Sequence, residues 1–170
     1  MRATRLNEWL QIMASLGVLV GLLVVAYEIR QNTSVAKTEH TRANFEMWVA
    51  LSSIELESDV GKAIIKAIED PDNLSTEDRF KLNAWLNAVV SIYEYNNQAE
   101  EFGVGSSLME FIGEDARYFF ASRYARRWFE DNRRWISPEA AEVIAQTIEN
   151  TPVPLTWDEA SGVFGQPGEK

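Results

Sequence analysis

The sequence predicts an all-α chain: an N-terminal transmembrane helix continuing into a stalk and a small helical-bundle domain. Three observations predict it. The nineteen residues from Trp9 to Tyr27 carry no charge, and at about 1.5 Å per residue they make a helix roughly 28 Å long, close to the hydrocarbon thickness of a bilayer. Beyond them, apolar residues recur at spacings of three and four with hydroxyl caps and Gly or Pro stops, and no stretch alternates as a strand does. Finally, 170 residues with 46% hydrophobic and 25% charged side chains describe a folded chain with room for one helical domain beside the anchor. The expected boundaries are 1–30 for the anchor, 31–150 for the stalk and helical domain, and 151–170 for an irregular C-terminal tail.

Glu8 and Glu28 bracket the anchor, with Arg5 and Arg30 just outside. A cleaved signal peptide is the rival reading, with Arg2 and Arg5 as its basic region and Val24-Val25-Ala26 as a small-residue cleavage site. Glu8, Trp9 and Gln11 argue against it, because they fall where such a peptide turns purely apolar. Within the span, Ala14, Gly17 and Gly21 put small residues on one helical face, a pattern that lets helix backbones approach closely in lipid. Gln11 and Ser15 lie near one end, as interfacial groups or as the lining of a pore.

Tyr27 to Asn44 contains neither Gly nor Pro, so the helix is expected to run unbroken out of the membrane. Phe45, Trp48, Val49 and Ser52 then form a stripe able to face a partner helix. His40, the only histidine, reads as a solvated stalk residue. Asp59 to Ile68 forms a short amphipathic helix ended at Pro71. Ser75 opens the next helix, with Asp78 in the capping-box position. Leu82, Trp85, Leu86, Val89 and Tyr93 line its buried face, and it ends near Gly103. Gly103 and Gly105 turn the chain before Leu108. From Glu114 to Trp135 the period is helical, with Phe120, Tyr124 and Trp128 four apart. Ser137-Pro138-Glu139 combines a hydroxyl N-cap, a proline in the first turn and an acid at the positive dipole end. Val143, Ile144 and Ile148 give that last helix its buried stripe, and Pro152 and Pro154 end it.

The balance of charge narrows the partners. A formal net charge of −10 opposes nucleic acid unless positive charge is concentrated locally. Arg117 to Trp135 is such a concentration, with six arginines and seven aromatics. It can build a core edge of stacked, paired guanidiniums. It can instead offer Arg126, Arg127, Arg133 and Arg134 to lipid headgroups or a partner, or bind nucleic acid, which the acidic background disfavours. The chain has no cysteine and one histidine, so thiolate chemistry and histidine-rich metal sites are excluded. Glu94, Asn97 and Glu101 share a helical face, but a di-iron bundle needs two Glu-x-x-His pairs. No Walker loop, nucleophile elbow or dinucleotide fingerprint occurs. The expectation is a non-enzyme with no cofactor and no metal.

The run Tyr27-Glu-Ile-Arg-Gln-Asn-Thr33, closing a hydrophobic helix, resembles a widespread group of bacterial single-span membrane proteins whose anchor ends in a Y-x-x-x-Q-I-R-Q-N-T-like motif. Further matches are Glu69-Asp70-Pro71, Leu74-Ser75-Thr76-Glu77 and the stretch from Trp128 to Glu139, so the likeness spans about Trp9 to Ile148. It departs at the anchor's end, where Tyr27-Glu28-Ile29-Arg30 replaces a longer spacing. The resemblance implies architecture and a bacterial source and implies no activity.

The functional expectation is therefore structural. The chain reads as a membrane-anchored homo-oligomer or an accessory subunit of a larger membrane complex. Its partners are membrane lipid and itself or other membrane subunits, with no nucleic acid. The alternative is an oligomeric channel lined by the N-terminal helix. Trp157 and Phe164 in the tail are expected to reach a neighbouring subunit. The place is the bacterial inner membrane in a single pass. Arg2 and Arg5 on one side nearly balance Arg30, Lys37 and Arg42 on the other, and the large domain is assigned to the cytoplasm.

Overall fold

The computed structural model describes residues 2–57, 59–105, 115–154 and 156–161. Every regular element among them is helical. In chain order they are α1 (Arg2–Glu57), α2 (Asp59–Glu69), a 3₁₀ turn (Pro71–Asn73), α3 (Thr76–Glu101), a helical run at 115–119, α4 (Arg123–Asn132), a second 3₁₀ turn (Arg133–Trp135), α5 (Pro138–Asn150) and α6 (Trp157–Ser161). The chain divides into two compact units, Met1–Glu39 and His40–Lys170. Helix α1 runs without interruption, as the lack of Gly and Pro from Tyr27 to Asn44 implies.

In the first unit every described side chain from Trp9 to Val35 is exposed. The thirteen large apolar residues from Trp9 to Tyr27 are between 51% and 69% accessible. Among the described residues, nothing buries the most apolar window of α1, which is long and apolar enough to cross a membrane.

The second unit holds the core. Helix α2 buries Val60, Ala63, Ile64, Ala67 and Ile68, a stripe at i, i+3, i+4, i+7 and i+8. It packs against α3, α4 and α6. Its first turn lies so close to the end of α1 that a Cβ on Gly61 would stand 2.7 Å from the Glu55 carbonyl oxygen. Only glycine fits there. Helix α3 opens with the full capping box. The Ser75 hydroxyl accepts from the Asp78 amide at 3.0 Å, and the Asp78 carboxylate accepts from the Ser75 amide at 2.9 Å. Lys66 donates to the same carboxylate at 2.9 Å and ties α2 to α3. Leu82, Trp85, Leu86, Val89 and Tyr93 are buried, as their spacing implies. Gly103 ends the helix at φ +68°, a left-handed conformation that favours glycine.

On the stalk, His40, Asn44, Met47 and Leu51 face the core with Trp48, while Phe45 and Val49 of the expected stripe are exposed. Three details differ from the sequence reading. His40 is buried and stacked on Tyr95, ring centroids 4.9 Å apart, and is not a solvated residue. The neighbouring Asn96 amide donates to Asn44 Oδ1 at 3.0 Å, so this end of α1 is seated on α3 by a polar pair and two rings. The helical period from Glu114 to Trp135 is broken at Ala121, because the Ser122 hydroxyl accepts from the Ala125 amide at 3.0 Å and starts α4 afresh. The stretch 151–170, expected to be irregular, contains α6, whose Ala160 is buried. Leu108 lies outside the described residues.

Candidate functional site

Two surfaces invite a functional reading, one in each unit. On the first, Ala14, Gly17 and Gly21 are exposed, and a Cβ built on either glycine would meet nothing within 4 Å. Among the described residues these glycines meet no packing partner. Of Gln11 and Ser15 on this apolar stretch, the Ser15 hydroxyl donates to the Gln11 carbonyl at 2.9 Å, a local bond that satisfies the hydroxyl within its own helix.

The second lies in the arginine- and aromatic-rich segment, and the structure sorts its four singled-out arginines into different tasks. Arg126 is half-buried. Its guanidinium donates to the carbonyls of Phe120 (3.2 Å), Ile148 (3.2 Å), Thr151 (2.8 Å) and Pro152 (3.2 Å). It satisfies the last carbonyls of α5 and the break before α4, the orphan groups every helix end leaves. Burial lowers its pKa from the usual arginine value, yet a guanidinium stays charged throughout the ordinary pH range. Arg126 is thus consumed inside the fold and is not free for a headgroup or partner. Arg133 and Arg134 are exposed, lying over the rings of Phe129 (5.8 Å) and Trp135 (4.9 Å). Arg127 faces a cleft.

That cleft has a volume of about 460 Å³. Arg123, Arg127 and Asp131 enter it from successive turns of α4, Arg79 from the first turn of α3, and Asp72 from the 3₁₀ turn. Its apolar wall is Pro71, Tyr124 and Trp128. The wall is held from behind. The Trp128 indole donates to Asn83 Oδ1 at 2.7 Å, and the Tyr124 hydroxyl donates to the Arg79 carbonyl at 3.1 Å. Arg79 Nε is spent on the Leu74 carbonyl at 3.2 Å. The side chains of Arg123 and Arg127 make no hydrogen bond or ion pair with any described residue, although Asp131 is one turn beyond Arg127.

The remaining candidates have structural posts. The Glu94 carboxylate accepts from the Ser137 amide at 2.8 Å, and the Asn97 amide approaches the Ser137 hydroxyl at 3.3 Å, so this acidic face fixes the start of α5. Among the described residues no cluster of three His, Asp or Glu could hold a metal ion. Trp157, expected to reach a neighbour, is half-buried against Tyr118 in an edge-to-face pair at 5.9 Å, and its amide donates to Glu69 Oε1 at 3.2 Å. The tail folds back through it. Phe164 lies outside the described residues.

The sequence reading missed Arg79 and Arg123 as cleft residues. Arg123, Arg127 and Asp131 are spaced by four, which was visible, but the arrival of Arg79 and Asp72 depends on how α2, α3 and α4 pack. No protein-family model, curated protein or solved structure matches this chain.

Proposed function

We propose that this chain is a membrane-anchored structural or interaction protein. Its N-terminal helix crosses the bacterial inner membrane once, and its helical domain stands on the cytoplasmic side. There it works as a homo-oligomer or as an accessory subunit of a larger membrane complex, without enzymatic activity. The observation that carries the reading is the exposure of the thirteen large apolar side chains from Trp9 to Tyr27. Among the described residues one helix is long and apolar enough to span a membrane. Leaving that surface in water forgoes about 1.5 kcal/mol or more per side chain, on the order of 20 kcal/mol, which exceeds the net stability of an ordinary domain. Lipid or partner helices must cover it. The open space at Gly17 and Gly21 supports close approach of a second helix.

The test is fractionation followed by sizing. The chain should stay with membranes through an alkaline carbonate wash and require detergent for extraction. In detergent, native mass spectrometry should give an oligomer or a complex with other membrane subunits. Gly17→Leu with Gly21→Leu should disperse a homo-oligomer while leaving the helical domain folded. Recovery of the intact chain in the soluble fraction would overturn the proposal.

A further inference from the structure

We propose that the cleft between α3 and α4 is a binding site for a small phosphate ester carrying hydroxyl groups, held by Arg79, Arg123 and Arg127. The site is independent of the anchor reading, since every residue in it belongs to the second unit.

The first argument is the state of the guanidiniums. In a chain of net charge −10, acids are in excess. Yet Arg123 and Arg127 hold like charges one turn apart with no described partner, an arrangement that costs helix stability rather than adding to it. Arg79 commits only Nε and keeps its terminal nitrogens for the cleft. An anion seated among the three relieves the repulsion and uses donors that the fold leaves idle.

The second argument is the match of donor number to ligand. A single guanidinium fork pairs with both oxygens of a carboxylate. Three guanidiniums on one cleft supply more donors than that, and suit the several terminal oxygens and higher charge of a phosphate. The rest of the charged lining is Asp131, one turn beyond Arg127, and Asp72 from the 3₁₀ turn, which accept hydrogen bonds only. They receive hydroxyl groups and set a negative border against a long polyanion. At about 460 Å³ the cleft is far larger than an inorganic ion and lies in the range of small-molecule sites.

The third argument is rigidity. Trp128 is pinned through Asn83, and Tyr124 through the Arg79 carbonyl, before any ligand arrives. A wall already in place lowers the ordering cost of binding.

The probe is sn-glycerol 3-phosphate, which has the proposed chemistry and stands equally for a lipid headgroup and a free metabolite. Full-length protein in an uncharged detergent is titrated by calorimetry at constant ionic strength. Saturable binding with a dissociation constant of about 1 mM or tighter is expected. Arg123→Gln and Arg127→Gln should each weaken it roughly tenfold, the loss of one charge-assisted bond. Arg134→Gln makes the same charge change outside the cleft and should alter binding by less than about twofold. All three side chains are exposed, so the variants should keep the wild-type circular dichroism spectrum. Absence of saturable binding, or equal weakening by all three variants, would overturn the proposal. Repeating the titration in phosphatidylcholine nanodiscs with and without phosphatidylglycerol separates the sources. Competition by the anionic lipid assigns the site to a headgroup, and unchanged binding assigns it to a free ester, either result upholding the chemistry.

Discussion

Replacing Arg126 by methionine tests whether this arginine is a structural clamp or a surface charge. Methionine keeps most of the stem's packing and removes the guanidinium. Three of the four carbonyl contacts, to Phe120, Ile148 and Thr151, are partly buried, and the one to Pro152 is exposed. At about 1 kcal/mol net for each partly buried bond, and nothing for the exposed one, the loss is about 3 kcal/mol; water reaching the freed carbonyls trims it to about 2 kcal/mol. At about 3 °C per kcal/mol, the second unit should melt about 6 °C lower. The assay is thermal unfolding of the full chain in uncharged detergent, followed by near-ultraviolet circular dichroism, because all aromatic residues but Trp9 and Tyr27 lie in the second unit, whereas the far-ultraviolet signal also includes the first. Arg126→Lys should fall between the two, since one ammonium reaches fewer carbonyls than a planar fork. If Arg126→Met melts within about 2 °C of wild type, the clamp is wrong, and loss of vesicle binding by that variant would return Arg126 to the membrane.

Other perturbations follow from individual contacts. Gly61→Ala places a Cβ 2.7 Å from the Glu55 carbonyl oxygen and should cost about 1–3 kcal/mol, read as a lower denaturation midpoint in urea. Trp157→Ala removes a half-buried ring from Tyr118 and should cost about 1–2 kcal/mol without changing the size of the assembly; a change in size with no change in stability would restore the tail to an intersubunit role. The side-chain bond from Lys66 and the bonds to Ser75 lower the Asp78 pKa from 3.8 to about 2. Its folded value lies below its unfolded one, so its contribution is complete above the unfolded value and is lost as pH falls from 3.8 towards about 2. The melting difference between wild type and Asp78→Asn should therefore be constant near neutrality and shrink through that acid window.

Local chemistry was legible from sequence wherever a short-range rule decides the outcome. Ser75 with Asp78, Ser137 with Pro138, the left-handed Gly103 and the buried face of α3 all follow from spacings of a few residues. Ser122 reads as one small residue inside a helical period, and its hydroxyl caps the Ala125 amide to restart the helix, a short-range signal that the aromatic period masked. The rest that was not legible is long-range. His40 has no local reason to be buried; Tyr95 supplies one from fifty-five positions away. Phe45 and Val49 are as apolar as Met47 and Leu51, so periodicity alone did not choose which stripe docks. The cleft has the same origin, since Arg79 and Arg127 meet through tertiary folding.

The stacked pair of His40 and Tyr95 gives this chain a built-in reporter. A single imidazole means a single pair of imidazole ring-proton resonances, with no second histidine to confuse their assignment. The tyrosine's ring current shifts those lines only while the two planes lie together. Their position, followed against temperature or denaturant, would register the seating of residues 40–57 on α3 separately from unfolding elsewhere, without a label of any kind.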